Sequence, residues 1–216
     1  VVARQIHQMS RRKDGPFGVL NCAIMSPERM EIELFGTEHG LDGIGSPRIV
    51  GTFEQAHGGT LLLDEVSDMP LQTQGKIVRM LQEQTFQRVG GATSVHVDVR
   101  VIATSNRDLN AEMEEGRFRE DLFYRLNVVP IEVPPLTSRR EDIPKLVRYC
   151  IDRSAEASGV PRRLVAEDAV AALQSYSWPG NVRQLRNIVD WILIMAPGDV
   201  TEPVRSDMLP PEIIST

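Results

Sequence analysis

The sequence predicts an α/β fold: a parallel-sheet core followed by a small all-helical domain. Three observations point there. From Val1 to about Leu136, strand-like and helix-like segments alternate, the pattern of a parallel sheet covered by helices. After "PPLTSRRED" the strand signal vanishes, and residues 140–158, 167–175 and 181–195 read as helices. Polar groups also fall where strand-like runs end, at Asn21, at Asp64-Glu65 and at Thr104-Ser105-Asn106. In parallel α/β sheets ligands gather at the carboxyl ends of strands. The expected domains are 1–136 and 137–216.

Taken in order, "VVARQIHQM" opens the chain with Val2, Ile6 and Met9 on one helical face, and a helix is expected over Val1 to Arg12, stopping at Asp14-Gly15-Pro16. "PFGVLNCA" reads as a strand. Ser26-Pro27-Glu28 is a helix start, with a cap, a proline in the first turn and an acid at the positive end of the dipole. "TLLL" is a short buried strand ending on Asp64-Glu65, and Asp68 and Pro70 begin a helix that runs to about Glu83. "TFQRVGGATSVHV" carries Gly90-Gly91 between two strand-like runs and predicts a hairpin. "VDVRVIATSN" is a further strand, "GRFREDLFYRL" a helix, and "NVVPIEV" a last strand. In the helical part the third helix begins at "WPGN", with Asn181 as its cap.

Composition excludes several classes. The net charge of −6 argues against this segment gripping nucleic acid, which needs a basic surface. Cys22 and Cys150 have no metal-ligand or CxxC spacing, which fits a reducing cytoplasm. "WILIMAP" is far too short to span a bilayer, and no signal peptide is visible. Both ends read as cuts through a longer protein.

The chemistry centres on Asp64-Glu65. A buried strand ending in two acids is the Walker B pattern of P-loop nucleotide hydrolases, where the Asp helps hold Mg²⁺ and the Glu polarises the attacking water. The plain alternative is a strand end whose acids cap the next turn. In "GRFREDLFYRL", Arg119 and Arg125 are six residues apart, about 240° around a helix, so they do not share a face. They suit either a solvated helix or an arginine finger offered to a neighbouring subunit's nucleotide. Arg183 lies in the first turn of a helix, an unfavourable place for a cation unless an anion binds there, and otherwise it points into solvent. Asn21 and Thr104 alone suggest only turn hydrogen bonds.

Together the segments "VVARQIH", "NCA", "ELFG", "GTFEQAHGGTLLLDEVSDMPLQTQGKIVRMLQEQTFQRVGG", "VRVIATSN", "GRFREDLFYRLNVVPIEVPPL", "RREDIP" and "YSWPGNVRQLRN" resemble the AAA+ domain of bacterial enhancer-binding proteins, the activators of sigma-54 RNA polymerase. The resemblance implies an AAA+ P-loop-type core with a helical lid, working on ATP and Mg²⁺ in the cytoplasm as a homo-oligomeric ring, typically a hexamer, with nucleotide between subunits. By position, Asp64 matches the Mg²⁺-linked Walker B acid, Glu65 the catalytic acid, and Asn21 the switch residue restraining it. Thr104 falls at the sensor I position with Asn106 beside it; Arg119 and Arg125 match the trans-acting arginines, and Arg183 the sensor II arginine. A receiver domain and a DNA-binding domain are implied outside this chain, with no role at a membrane.

Two departures stand out. The phosphate-binding pattern G-x-x-x-x-G-K-[ST] occurs nowhere; the one Gly-Lys, Gly75-Lys76, is followed by Ile77. The resemblance places the start of this chain just downstream of that loop, so the segment alone is expected to bind ATP poorly. Where the family carries Gly-Ala-Phe-Thr-Gly-Ala, whose Phe and Thr touch sigma-54, this chain has Gly40-Leu41-Asp42-Gly43-Ile44-Gly45. That degenerate loop resembles the NtrX-like branch of nitrogen-regulation response regulators and argues against a productive sigma-54 contact. The alternative reading is a non-catalytic oligomerisation scaffold in a DNA-binding response regulator.

Overall fold

The computed structural model describes residues 1–39, 47–196 and 199–214. The chain forms two compact units, Val1–Pro130 and Ile131–Thr216.

The first unit is built on a three-stranded parallel sheet: β1 (Phe17–Asn21), β2 (Thr60–Asp64) and β5 (Arg100–Ala103), with β2 in the centre. Register sets the strand ends side by side, Asn21 opposite Asp64 and Leu63 opposite Ala103. β2 takes the middle because it is apolar, with Leu61 and Leu63 fully buried. The helices are α1 (Val2–Gln8), α2 (Pro27–Phe35), α3 (Thr52–Gln55), α4 (Leu71–Glu83), α5 (Leu109–Glu114) and α6 (Glu120–Leu126). α2 starts as its residues demand: the Ser26 hydroxyl accepts from the Arg29 N–H and Pro27 opens the first turn. It ends at Gly36, where φ is 73° and an added Cβ would sit 2.2 Å from the Ile49 carbonyl, so only glycine fits.

α4 buries Thr73, Gln74, Ile77, Val78 and Met80, one face at helical spacing. Short strands β3 (Thr85–Gln87) and β4 (Ser94–His96) pair antiparallel as the hairpin reading expects, and Gly90 takes a positive φ in their connection. Phe35, Phe53 and Phe86 meet beneath it, with ring centroids 5.4 to 6.2 Å apart.

The second unit packs α7 (Ile143–Ser158), α8 (Glu167–Ser175), α9 (Asn181–Met195) and the short α10 (Pro211–Ile214) around Leu136, Ile143, Val147, Leu173, Trp178 and Leu185. Trp178 is buried, and its indole N–H donates to the Leu173 carbonyl at 2.7 Å.

Four local expectations need correction. "NVVPIEV" forms no strand: Pro130 removes a donor from its middle, and no described strand pairs with it. Its apolar residues Val128, Val129, Ile131 and Val133 are accordingly exposed. The first helix stops at Gln8, because the Ser10 hydroxyl bonds back to the His7 carbonyl and accepts from the Arg12 N–H, turning the chain early. α5 is a helix the periodicity did not reveal, being only six residues long and capped by the Asp108 carboxylate on the Asn110 N–H. Gly180, not Asn181, caps α9. Asn181 adopts φ 49° as the first helical residue and uses its side chain to accept the Leu136 N–H at 2.9 Å.

Candidate functional site

The carboxyl ends of β1, β2 and β5 bring Asn21, Asp64 and Thr104 to one edge of the sheet. Thr104 organises the two acids. Its hydroxyl donates to Asp64 Oδ1 at 2.6 Å and accepts from the Glu65 N–H at 3.1 Å. Its backbone joins in, N–H to Leu63 O and C=O to the Val66 N–H. The Glu65 carboxylate is in turn held by the Asn106 N–H at 3.0 Å. Glu65 itself sits at φ 59°, ψ 55°, a left-handed conformation that costs a glutamate about 1 kcal/mol and is typical of functional positions. That turn sends the Glu65 side chain away from the line of β2, toward the loop after β5.

Asn21 accepts from the Ala23 N–H at 2.9 Å. It neighbours Asp64 through the strand register, but makes no hydrogen bond to Glu65. Beneath them lies Cys22, 2% exposed. Burial, and then the carboxylates of Asp64, Asp68 and Glu65, push its thiol up to about 12. The thiol therefore stays protonated at neutral pH, chiefly because it is buried.

Arg119 caps α6 and Arg125 lies in its last turn; both are exposed. The Arg119 guanidinium is bonded to Asp121 at 2.7 and 3.0 Å, and this partner lowers the Asp121 carboxyl below its usual range. Arg125 has no ion-pair partner among the described residues. Arg183 is exposed in the first turn of α9, in the second unit. Residues 40–45, where the degenerate loop is read, lie outside the described residues.

Two features of the site were not read from the sequence. Glu112, 4% exposed, takes the Arg117 guanidinium at 2.7 and 2.8 Å, and Arg107 joins it to Asp68 at 2.7 Å. Gln74, fully buried, bonds both sides of the α4–α6 contact. The signal for Gln74 was present: it sits at the core spacing with Ile77 and Val78, a polar residue on an apolar face.

The donor set suits Mg²⁺ only in one mode. Among the described residues no group of three or more His, Cys, Asp or Glu side chains could cage a metal. Mg²⁺, however, ordinarily uses one or two carboxylates with phosphate oxygens and water, and Asp64 keeps one carboxylate oxygen outside the Thr104 bond. No described helix is long and apolar enough to cross a membrane.

Comparison with known proteins agrees with this geometry. The family described as Sigma-54 interaction domain matches residues 1–132, and the AAA+ ATPase lid domain matches residues 137–216. The nitrogen assimilation regulatory protein NtrX of Azorhizobium caulinodans is 54% identical over 213 residues, covering 99% of this chain and 46% of that protein. The DNA-binding transcriptional regulator NtrC of Escherichia coli is 46% identical over 198 residues, covering 92% of this chain and 42% of its own. The chain thus spans less than half the length of these relatives. Crystal structures of NtrX from Brucella abortus in complex with ADP and with ATP each give a TM-score of 0.90, at 53% and 52% identity. They are covered over 47% of their length and cover 100% and 99% of this chain. A three-stranded parallel sheet ending in a threonine-clamped acid pair, with this pair of matches end to end, places the chain in the sigma-54 interaction domain family, an AAA+ core with its lid.

Proposed function

We propose that the chain is the ATP-binding and ATP-hydrolysing module of a cytoplasmic bacterial transcription regulator, working as a homo-oligomeric ring. The observation that carries this is the Thr104 clamp, which fixes Asp64 and Glu65 with different neighbours and so gives two adjacent carboxylates two roles. Asp64 would hold Mg²⁺, which supplies charge neutralisation on the phosphoryl oxygens when bound. Glu65, turned out of the strand and held by the Asn106 N–H, orients and polarises the attacking water. Arg119 and Arg125 stabilise the phosphoryl charge of a neighbouring subunit, for which Arg119 must exchange Asp121 for phosphate. Arg183 contacts the nucleotide from the lid. Asn21, which here bonds Ala23 and not Glu65, would restrain Glu65 only after its side-chain amide turns toward that carboxylate. The ADP and ATP complexes of Brucella abortus NtrX support nucleotide binding.

A second reading, a nucleotide-responsive scaffold that does not work on sigma-54, is favoured by Asp42 and Gly43 standing where the family has Phe and Thr. DNA would then be engaged through a domain outside this chain. ATP turnover by the full-length protein decides the first reading: Glu65→Gln should lower kcat about 100-fold or more while leaving nucleotide binding in place. Equal turnover by the two proteins would falsify the assignment. Capture of sigma-54 in the presence of a transition-state nucleotide analogue decides the second, and robust capture would exclude it.

A further inference from the structure

Gln74 lies in the first turn of α4 and is 0% exposed. Its amide nitrogen donates to the Met69 carbonyl at 2.8 Å and to the Arg117 carbonyl at 3.0 Å. Its amide oxygen accepts the Arg119 N–H at 2.8 Å. Only this orientation of the amide serves all three partners, since the reverse would set oxygen against two carbonyls. A buried amide is tolerated when fully bonded, but a methionine would fill the same volume on this apolar face without that demand.

What the amide joins is specific. Met69 closes the short helical turn Val66–Asp68 that hangs from Glu65. Arg117 and Arg119 lie within the three residues before α6, and Arg119 caps it. The Arg119 guanidinium lies over Gly75, where an added Cβ would be 3.8 Å from its nearest nitrogen. One side chain therefore holds, at the same time, the segment leaving the acid pair and the backbone from which Arg119 departs.

The geometry points to Gln74 as a positioning residue for hydrolysis, linking the acids a subunit uses on its own nucleotide to the Arg119 it offers its neighbour. This rests on the reading of Arg119 as a trans-acting arginine. A displacement of the turn after Glu65, when the phosphate it faces changes, reaches Arg119 through three hydrogen bonds on one rigid amide.

Full-length Gln74→Met protein tests the link. Its kcat should fall about 10-fold or more with KM for ATP changed less than about twofold, because the lost function is orientation rather than binding. In the nucleotide-free protein, the Arg119 amide should exchange with solvent faster while the amides of Leu61 to Leu63 in β2 stay protected; an unchanged Arg119 amide overturns the link. The decisive arm mixes subunits. In Gln74→Met the acids stay held by Thr104 and Asn106, and Glu65→Gln keeps a well-placed Arg119, so a one-to-one mixture of two weakly active proteins should recover about a quarter of wild-type turnover by random assembly. Recovery supports the positioning role, and no recovery overturns it. Arg119→Ala mixed with Glu65→Gln separates the two readings. If that control recovers and Gln74→Met does not, the inference about Gln74 alone fails; if the control does not recover, the trans-acting reading fails and takes the link with it. Should Gln74→Met not fold, Gln74→Leu, which also removes all three bonds without burying a charge, goes through the same mixing with the same outcomes.

Discussion

Thr104 shows how much a single hydroxyl can organise. It is donor to Asp64 and acceptor from Glu65 at once, so its loss acts on both acids. Thr104→Val keeps shape and β-branching but removes both bonds, and leaves the Glu65 N–H without its side-chain acceptor. We expect the full-length variant to remain folded, with stability lowered by about 1 kcal/mol, and ATP turnover reduced about 10-fold or more. Urea unfolding and steady-state turnover check the two parts separately. Asp64 and Glu65 were legible in the sequence as an acid pair closing an apolar run. Thr104 was not legible by itself, because a strand-end threonine ordinarily serves a turn. Its role depends on β5 lying beside β2, a long-range pairing that no local pattern encodes. The left-handed backbone at Glu65 was equally hidden, since glutamate carries no preference for it.

At the scale of elements, legibility followed whether the cause was local. α2 was readable because cap, proline and terminal glycine sit within the segment itself. The hairpin was readable from Gly90-Gly91. "NVVPIEV" misled because apolar β-branched residues state a propensity, whereas a strand also needs a neighbour to bond. α4 offers a direct test of local energetics. Gly75 stands inside this helix, where glycine is unfavourable, and an added Cβ meets only the Arg119 guanidinium at ordinary contact distance. Gly75→Ala should therefore stabilise the protein by about 0.5–1 kcal/mol, read as a higher urea midpoint at unchanged slope. A lower midpoint would show that the guanidinium needs the bare backbone beneath it.

For the molecule as a whole, stability should depend on its bonded carboxylates. Arg117 holds the Glu112 carboxyl below its ordinary value of 4.5, and Arg12, Arg119, Ser206 and Thr201 do the same for Asp98, Asp121, Asp168 and Asp199, whose ordinary value is 3.8. A lowered folded value means that the unfolded chain binds more protons on acidification. The contribution is complete above the ordinary values and is lost as pH falls through the folded ones. The urea midpoint, followed by circular dichroism, should hold steady down to about pH 5 and fall below it. Glu112→Gln should make that fall shallower, and an unchanged acid limb would show that the Glu112–Arg117 pair plays no part. The overall division into an α/β part and a helical part was legible because hydrophobic period changes along the chain. The charged links from Asp68 through Arg107 and Glu112 to Arg117 were not, because their members are scattered among residues that look solvent-facing in the sequence.

The chain has two tryptophans, Trp178 and Trp191, and both lie in the second unit. The acid pair, its threonine clamp and both α6 arginines lie in the first, which is optically silent in this respect. Indole emission from this segment therefore carries no direct signal from the sheet edge that bears the acids. Any change in that emission on adding nucleotide would instead be a report from the helical unit that it had been touched or moved.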